Sequence, residues 1–461
     1  MNPSRLAAFA LCAVLTFSPL VGGLHGGAER KSVWTQADLP GARGTEEAAW
    51  KSVAPAGKEP KTDGGFSIES VRQLLEEALR ASGVSNQEEV GRYVALFRMK
   101  VEDILQRAAR PRSPYRRAQR LHAALHDKIF LRYSAAATGI DSVLDSEEYN
   151  CVSATLLWGI AARLLGLEAR VVEGPRHVFL RLGTGKRNVD IESTSADGFD
   201  LRRNPIRFRR FILAYKLAAP EDPASADPGR TPEKRSEHEA EGASRELYAA
   251  LQEAPGEGAA VSLEQGVAFL WHNTAERHLD QGEPLQSARD FREVFRLYPD
   301  LARRSDALAG SLARAFRIEY EAGRFETAYQ IAAIELEIFG EKTSTRDRFL
   351  AVASKRIEGA CEAGRAAEAQ EILDSSRALL SAPSDGTRLE RQNAPRIAAA
   401  AVTTGDWRRA REMAERFASV EADIVEGARF IEWVESRQVD AADPERQTCR
   451  EPRRFSPTPV R

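Results

Sequence analysis

A cysteine, a histidine and a strand of acids stand here in an order that suits covalent acyl chemistry. Cys151 opens an apolar run of helical period. His177 opens a strand-like run, and Asn188, Asp190 and Glu192 alternate with Val189 and Ile191 along another. A thiol attacks a carbonyl as its thiolate, so it needs a neutral imidazole within hydrogen-bond reach as base. A carboxylate on the far ring nitrogen fixes the tautomer of that imidazole. Asn150 is a good helix-capping residue type, which places the Cys151 thiol beside unpaired N–H groups at the positive end of a helix. That end favours a thiolate, and its N–H groups suit an oxyanion. Tyr149 is a further donor toward such an oxyanion. Asp190 and Glu192 share one face of their strand. A two-residue turn at Gly183-Thr184 sets Asp190 opposite His177, and a turn at Thr184-Gly185 sets Glu192 there, so register leaves both open.

The elements that must position these groups can be read from period and punctuation. Val152, Leu156, Leu157, Ile160, Leu164 and Leu165 mark one face of the helix after Cys151. Gly166 stands where a left-handed C-cap is wanted, with Leu167 to make the apolar contact. Three strands follow, Ala169–Glu173, His177–Leu182 and Arg187–Glu192, the last two joined by the hairpin signal Gly183-Thr184-Gly185-Lys186. Upstream, Ser67 caps a helix carrying Ile68, Val71, Leu74, Leu75 and Leu79. A second helix spans Glu88–Arg107, and after Pro111 and Pro114 a third spans Tyr115–Ile129. Helices followed by strands predict an α+β domain over residues 66–218. His122 and His126 sit at i, i+4 on the third helix, but no third ligand has supporting spacing, so packing is the expectation and no metal site is expected.

The run YNCVSATLLWGIAARLLGLEARVVEGPRHVFLRL, followed by NVDIESTS, resembles the transglutaminase-like superfamily, closest to its cysteine-containing SirB1-type branch. The shared pattern is a Cys opening a helix, a Leu-Gly helix end, a strand, a His-led strand and an acid-x-Thr strand. The resemblance covers about Leu121 to Phe211 and implies a transglutaminase-like (papain-like) fold. It implies Cys151 as nucleophile, His177 as base and, from Glu192-Ser193-Thr194, Glu192 as the acid with Asp190 as alternate. Tyr149-Asn150-Cys151-Val152 replaces the Gly-x-Cys-Trp neighbourhood of the family. Amide or peptide hydrolysis is the activity implied, with no cofactor.

The second half is periodic. Gly282, Gly323, Gly364 and Gly405 recur every 41 residues in the texts DQGEPLQSA, EAGRFETA, EAGRAAEA and TTGDWRRA. A small Ala follows at Ala288, Ala328, Ala369 and Ala410. Each unit reads as helix, glycine turn, helix; one unit cannot bury its own apolar face, so neighbours stack. These turns resemble tetratricopeptide-type repeats, and they predict an all-α array over residues 261–436. The resemblance implies a surface for a peptide or protein ligand.

The 461 residues are 43% hydrophobic and 29% charged with a formal net charge of −2, which gives no global attraction to nucleic acid. The basic stretches Arg107–Arg120 and Arg202–Lys216 read as solvated faces. Arg5, the apolar run Leu6–Leu24 and the small residues after it predict a signal peptide over 1–28, hence export to a periplasm or secretion. A membrane association is expected only if that segment stays uncleaved. Linkers are expected over 29–65 and 219–260, and a disordered tail over 437–461. With the signal removed, Cys151, Cys361 and Cys449 remain, an odd number in an exported chain. The expectation is an exported thiol hydrolase or acyltransferase with a repeat array. The alternative is a non-catalytic interaction scaffold.

Overall fold

The computed structural model describes residues 66–206 and 260–442, apart from Pro175, Arg176, Lys186 and Glu341. The signal peptide, the 29–65 linker, most of the 219–260 linker and residues 443–461 of the tail lie outside the described residues. What is described is mostly helical with small sheets, and it divides into two compact units. The first runs to Thr274 and includes Arg296–Tyr298; the second holds Ala275–Phe295 and the chain from Pro299.

The first unit begins with α1 (Ile68–Ala81), α2 (Gln87–Ala109) and α3 (Pro114–Lys128). The Ser67 hydroxyl accepts from Ser70 N–H at 3.0 Å, so the expected cap is made. The next elements are β1 (Arg132–Tyr133), α4 (Ile140–Ser146) and β2 (Glu148–Tyr149), with β1 and β2 pairing in parallel. The central helix α5 (Cys151–Leu164) is buried from Cys151 through Arg163, on every face rather than one. It therefore runs through the core, which explains why its sequence is apolar all round. Gly166 ends it at φ 67°, and Leu167 N–H bonds back to the Ala162 carbonyl at 3.0 Å, as its Leu-Gly-Leu text requires.

The strands β3 (Ala169–Gly174), β4 (His177–Gly183) and β5 (Asn188–Ile191) form an antiparallel sheet. A fourth strand, β6 (Ala260–Val261), completes the order β5-β4-β3-β6. Its partners are Val171 and Val172, far away in sequence. Then α6 (Leu263–Asp280) begins, with Leu263 and Val267 fully buried. The repeat domain was expected to start at residue 261, but Ala260–Thr274 belongs to the first unit. Two residues of strand are too short to show a period, which is why the sequence concealed β6.

The second unit consists of helical hairpins. Their helices are α7 (Pro284–Leu297), the short α8 (Pro299–Arg304), α9 (Asp306–Glu321), α10 (Phe325–Phe339), α11 (Thr343–Glu362), α12 (Ala366–Leu379), α13 (Pro383–Thr404), α14 (Trp407–Val420) and α15 (Ile424–Ala442). The four periodic glycines sit in the turns α6–α7, α9–α10, α11–α12 and α13–α14, at φ 79°, 73°, 70° and 74°. At each turn the residue after the glycine donates its N–H to the carbonyl five residues back: Glu283 to His278, Arg324 to Glu319, Arg365 to Ala360 and Asp406 to Ala401, all at 2.8–2.9 Å. That bond satisfies a carbonyl left over at the helix end, and it needs a left-handed residue at the glycine position. The alanines Ala288, Ala328, Ala369 and Ala410 are fully buried, as close packing of the second helices demands. Buried polar pairs tie successive hairpins: Glu335 of α10 to Arg348 of α11, and Tyr329 of α10 to Ser376 of α12 at 3.0 Å. The tail was expected from residue 437, but α15 continues to Ala442.

A Cβ at Gly323 would meet no atom within 4 Å, so only its backbone conformation is at stake there. Gly323→Ala is expected to cost about 1–2 kcal/mol, seen as a lower denaturant midpoint with an unchanged slope.

Candidate functional site

The site is built where α5 begins. Asn150 Oδ1 accepts from Val152 N–H at 2.9 Å and Ser153 N–H at 3.0 Å. Ser153 Oγ in return accepts from Asn150 N–H at 3.0 Å, closing a capping box whose Asn150 half is the cap expected from the sequence. The expectation of unpaired first-turn N–H groups beside the thiol is thereby corrected for Val152 and Ser153, whose donors the cap consumes. Asn150 Nδ2 is buried and has no hydrogen-bond partner. Cys151 itself is buried, the first residue of the helix.

One turn further, Thr155 lies on the same helix face as Cys151. Its hydroxyl reaches the Val178 carbonyl at 3.3 Å and the Ser193 hydroxyl at 2.7 Å. Two residues before Cys151, the Tyr149 hydroxyl donates to the Thr194 carbonyl at 3.2 Å. The nucleophile candidate is thus flanked on both sides by residues touching the start of β4 and the segment after β5. His177 and Glu192 stand on those two segments. The expected oxyanion role of Tyr149 is corrected, because its hydroxyl is committed to Thr194.

His177 Nε2 and Glu192 Oε2 are 2.6 Å apart, and both residues are buried. The other carboxylate oxygen, Oε1, accepts from Thr194 N–H at 2.9 Å and from the Thr194 hydroxyl at 2.5 Å. Burial pushes the Glu192 carboxyl up, but the His177 charge and hydrogen bond, with the two bonds from Thr194, outweigh it and hold the group below its usual value. An ionised Glu192 fixes the proton on Nε2 and leaves Nδ1 as the basic nitrogen.

The hairpin register answers the question left open between the two acids. Arg181 pairs with Asp190 and Gly183 with Asn188, and Thr184 N–H donates to the Arg187 carbonyl at 3.0 Å, so the pairing runs further toward the turn than either two-residue turn considered and the register is shifted accordingly. Continued past the paired residues, that register sets His177 across from Thr194. Glu192 reaches it diagonally, with the length of its side chain covering the offset. Asp190 pairs with Arg181, with Nε to Oδ1 at 2.8 Å. Phe199 then bridges back to Ile191, and Glu192 N–H donates to the Gly198 carbonyl at 3.0 Å. A Cβ on Gly198 would fall 2.0 Å from the Glu192 carbonyl oxygen, so this close return needs glycine.

The chain matches no family model, no curated protein and no solved structure. The site is therefore read from its own chemistry. Among the described residues no group of three or more His, Cys, Asp or Glu is arranged to hold a metal ion. His122 and His126 lie with ring centroids 4.7 Å apart, and His122 Nε2 donates to the Ser195 carbonyl at 2.9 Å. Burial holds both rings neutral, pulling His122 down to about 4 and His126 to about 3. Cys361, on α11, is half-buried, and burial pushes its thiol up to about 11. Cys449 lies outside the described residues.

Two outcomes follow from this geometry. In Glu192→Gln the His177 imidazolium loses its anion, so its pKa is expected to fall by at least about one unit, read by NMR titration, whereas Asp190→Asn leaves it in place. Acid also acts through the buried imidazoles: unfolded histidine takes a proton near 6.5, while folded His122 takes one near 4. Between those values the unfolded chain binds more protons, so stability falls as pH drops from about 6.5 toward 4. For His122 the loss is about 3 kcal/mol, measured by denaturant unfolding across that range, and His122→Gln flattens the profile.

Proposed function

We propose that this chain is a thiol hydrolase or acyltransferase of transglutaminase-like type, acting on peptide-like amide bonds. The observation that carries the reading is the buried His177–Glu192 pair at 2.6 Å, joined through Thr155 and the Val178 carbonyl to the capped core helix that Cys151 opens. In this reaction His177 Nδ1 takes the proton of Cys151, and the thiolate attacks the amide carbonyl carbon. The tetrahedral oxyanion meets Asn150 Nδ2, the partnerless donor next to the nucleophile. The C–N bond breaks as His177 returns the proton to the leaving amine, and a thioester on Cys151 remains. Water releases the acyl group in hydrolysis, and an amine releases it in transfer. Glu192 holds the imidazole in the productive tautomer throughout.

The helical hairpins resemble tetratricopeptide-type repeats, and we assign them the binding of a peptide or protein ligand. Supporting this, the first helices of successive hairpins line a cleft of about 360 Å³ with Leu350, Lys355, Glu358, Arg388, Leu389 and Arg396. No helix among the described residues is long and apolar enough to cross a membrane. Export through the segment 1–28 remains part of the proposal and rests on the sequence pattern.

The test is the pH dependence of alkylation at each cysteine, resolved by mass spectrometry. Cys151 is expected to react well below the ordinary thiol range of about 8.5, with Cys361 silent until strongly alkaline pH, and His177→Ala is expected to abolish the low-pH reactivity. A Cys151 that reacts no faster than Cys361 at neutral pH would remove the enzyme reading and leave the hairpin array as the working part.

A further inference from the structure

The acid of the site stands where the sheet no longer supports it. Pairing of β5 ends at Ile191, and Glu192 is the first residue beyond it. From there to Phe199 the backbone makes a short loop, closed by the bond from Glu192 N–H to the Gly198 carbonyl. Three side chains from elements distant in sequence meet three consecutive residues of that loop. The Tyr149 hydroxyl of β2 donates to the Thr194 carbonyl at 3.2 Å, and His122 Nε2 of α3 donates to the Ser195 carbonyl at 2.9 Å. The ring of His126 interacts with the Ser193 backbone.

These donors are themselves held. The rings of His126 and Tyr149 have centroids 6.2 Å apart in an edge contact, and Phe130 lies 5.2 Å from Tyr149 and 5.4 Å from His126. His122 and Tyr149 are buried. Nothing in the chemistry proposed above uses any of them, and among the described residues no third ligand makes a metal site of the two histidines. Their common property is the loop they grip. A continuous path results: Tyr149 hydroxyl to Thr194 carbonyl, Thr194 N–H and hydroxyl to Glu192 Oε1, Glu192 Oε2 to His177 Nε2. Tyr149 is also two residues before Cys151, on the strand that feeds directly into the nucleophile's helix.

We infer that Tyr149 and His122 are positioning residues, which clamp the Thr194 and Ser195 carbonyls so that the Glu192 carboxylate is aimed at His177 and its distance from the Cys151 helix is set. The inference rests on the thiol chemistry proposed above for its functional meaning, and on the hydrogen bonds alone for its geometry. The tight clamp also explains why a loop residue, outside any strand, can orient an imidazole: rigid support is what such a group requires.

The experiment uses the full chain with Tyr149→Phe, which removes one hydroxyl and keeps the ring, and His122→Gln. Three readings are taken: the unfolding midpoint, the NMR pKa of the His177 imidazole, and the pH profile of Cys151 alkylation. The expected result for Tyr149→Phe is a cooperative fold, a His177 pKa lowered by about half a unit or more, and alkylation of Cys151 near pH 6.5 slowed about fivefold, with Cys361 unchanged. His122→Gln is expected to shift the same two site readings in the same direction; should it fail to fold, Tyr149→Phe decides. A lowered midpoint with unchanged His177 pKa and unchanged alkylation profile would make these residues core packing alone and overturn the inference. A wild-type Cys151 as unreactive as Cys361 would sink the thiol chemistry, while the His177 pKa still decides whether the clamp holds Glu192.

Discussion

A helix that starts inside a core has to satisfy its first N–H groups without water, and that constraint organises the first unit. The start of α5 is enclosed, so Asn150 and Ser153 close on each other across the first turn. A capping box fixes where the helix begins to within one residue. Cys151 is therefore pinned at the helix start, with the positive end of the helix around it. The apolar remainder of α5 then gathers the sheet and helices about it. Whatever the thiol does, its location is a consequence of helix-end accounting rather than of the sheet.

The sheet has the complementary task, and it delegates part of it. Strand β4 delivers His177 at its first residue, where no pairing on the β5 side reaches. The carboxylate that meets it comes from a loop. Two kinds of order are thus combined: regular pairing sets the approximate place of the imidazole, and individually satisfied carbonyls set the acid. Buried polar groups of this kind specify one arrangement because each misplacement leaves a donor or acceptor stranded.

The parts of this arrangement that were legible in the sequence share a local cause. The Asn150 cap, the Gly166 helix end, the three strands and the four periodic glycine turns each depend on a few neighbouring residues, and each stands where its text places it. The acid was harder. Gly183-Thr184-Gly185-Lys186 contains two plausible short turns, and the pairing extends past both, to the bond from Thr184 N–H to the Arg187 carbonyl. Register is a property of the pairing, so turn residues alone left Glu192 and Asp190 open, and the Arg181 partner of Asp190 separates them. The pair His122 and His126 illustrates the same limit. Their spacing showed that they share a helix face, but only the fold brings them to a loop some seventy residues downstream. Strand β6 left no trace at all, since two residues carry no alternation.

That strand changes what counts as a module here. Beyond the composition shift, Ala260–Thr274 still belongs to the first unit, supplying an edge strand and the first half of α6. A truncation that removes Ala260–Thr274 together with the hairpins would strip β3 of a neighbour and uncover the faces that Leu263 and Val267 close. The border between the modules lies inside a helix, between Thr274 and Ala275, and not at the composition shift that the eye selects, so a fragment cut at that shift would carry part of the first unit away with the hairpins.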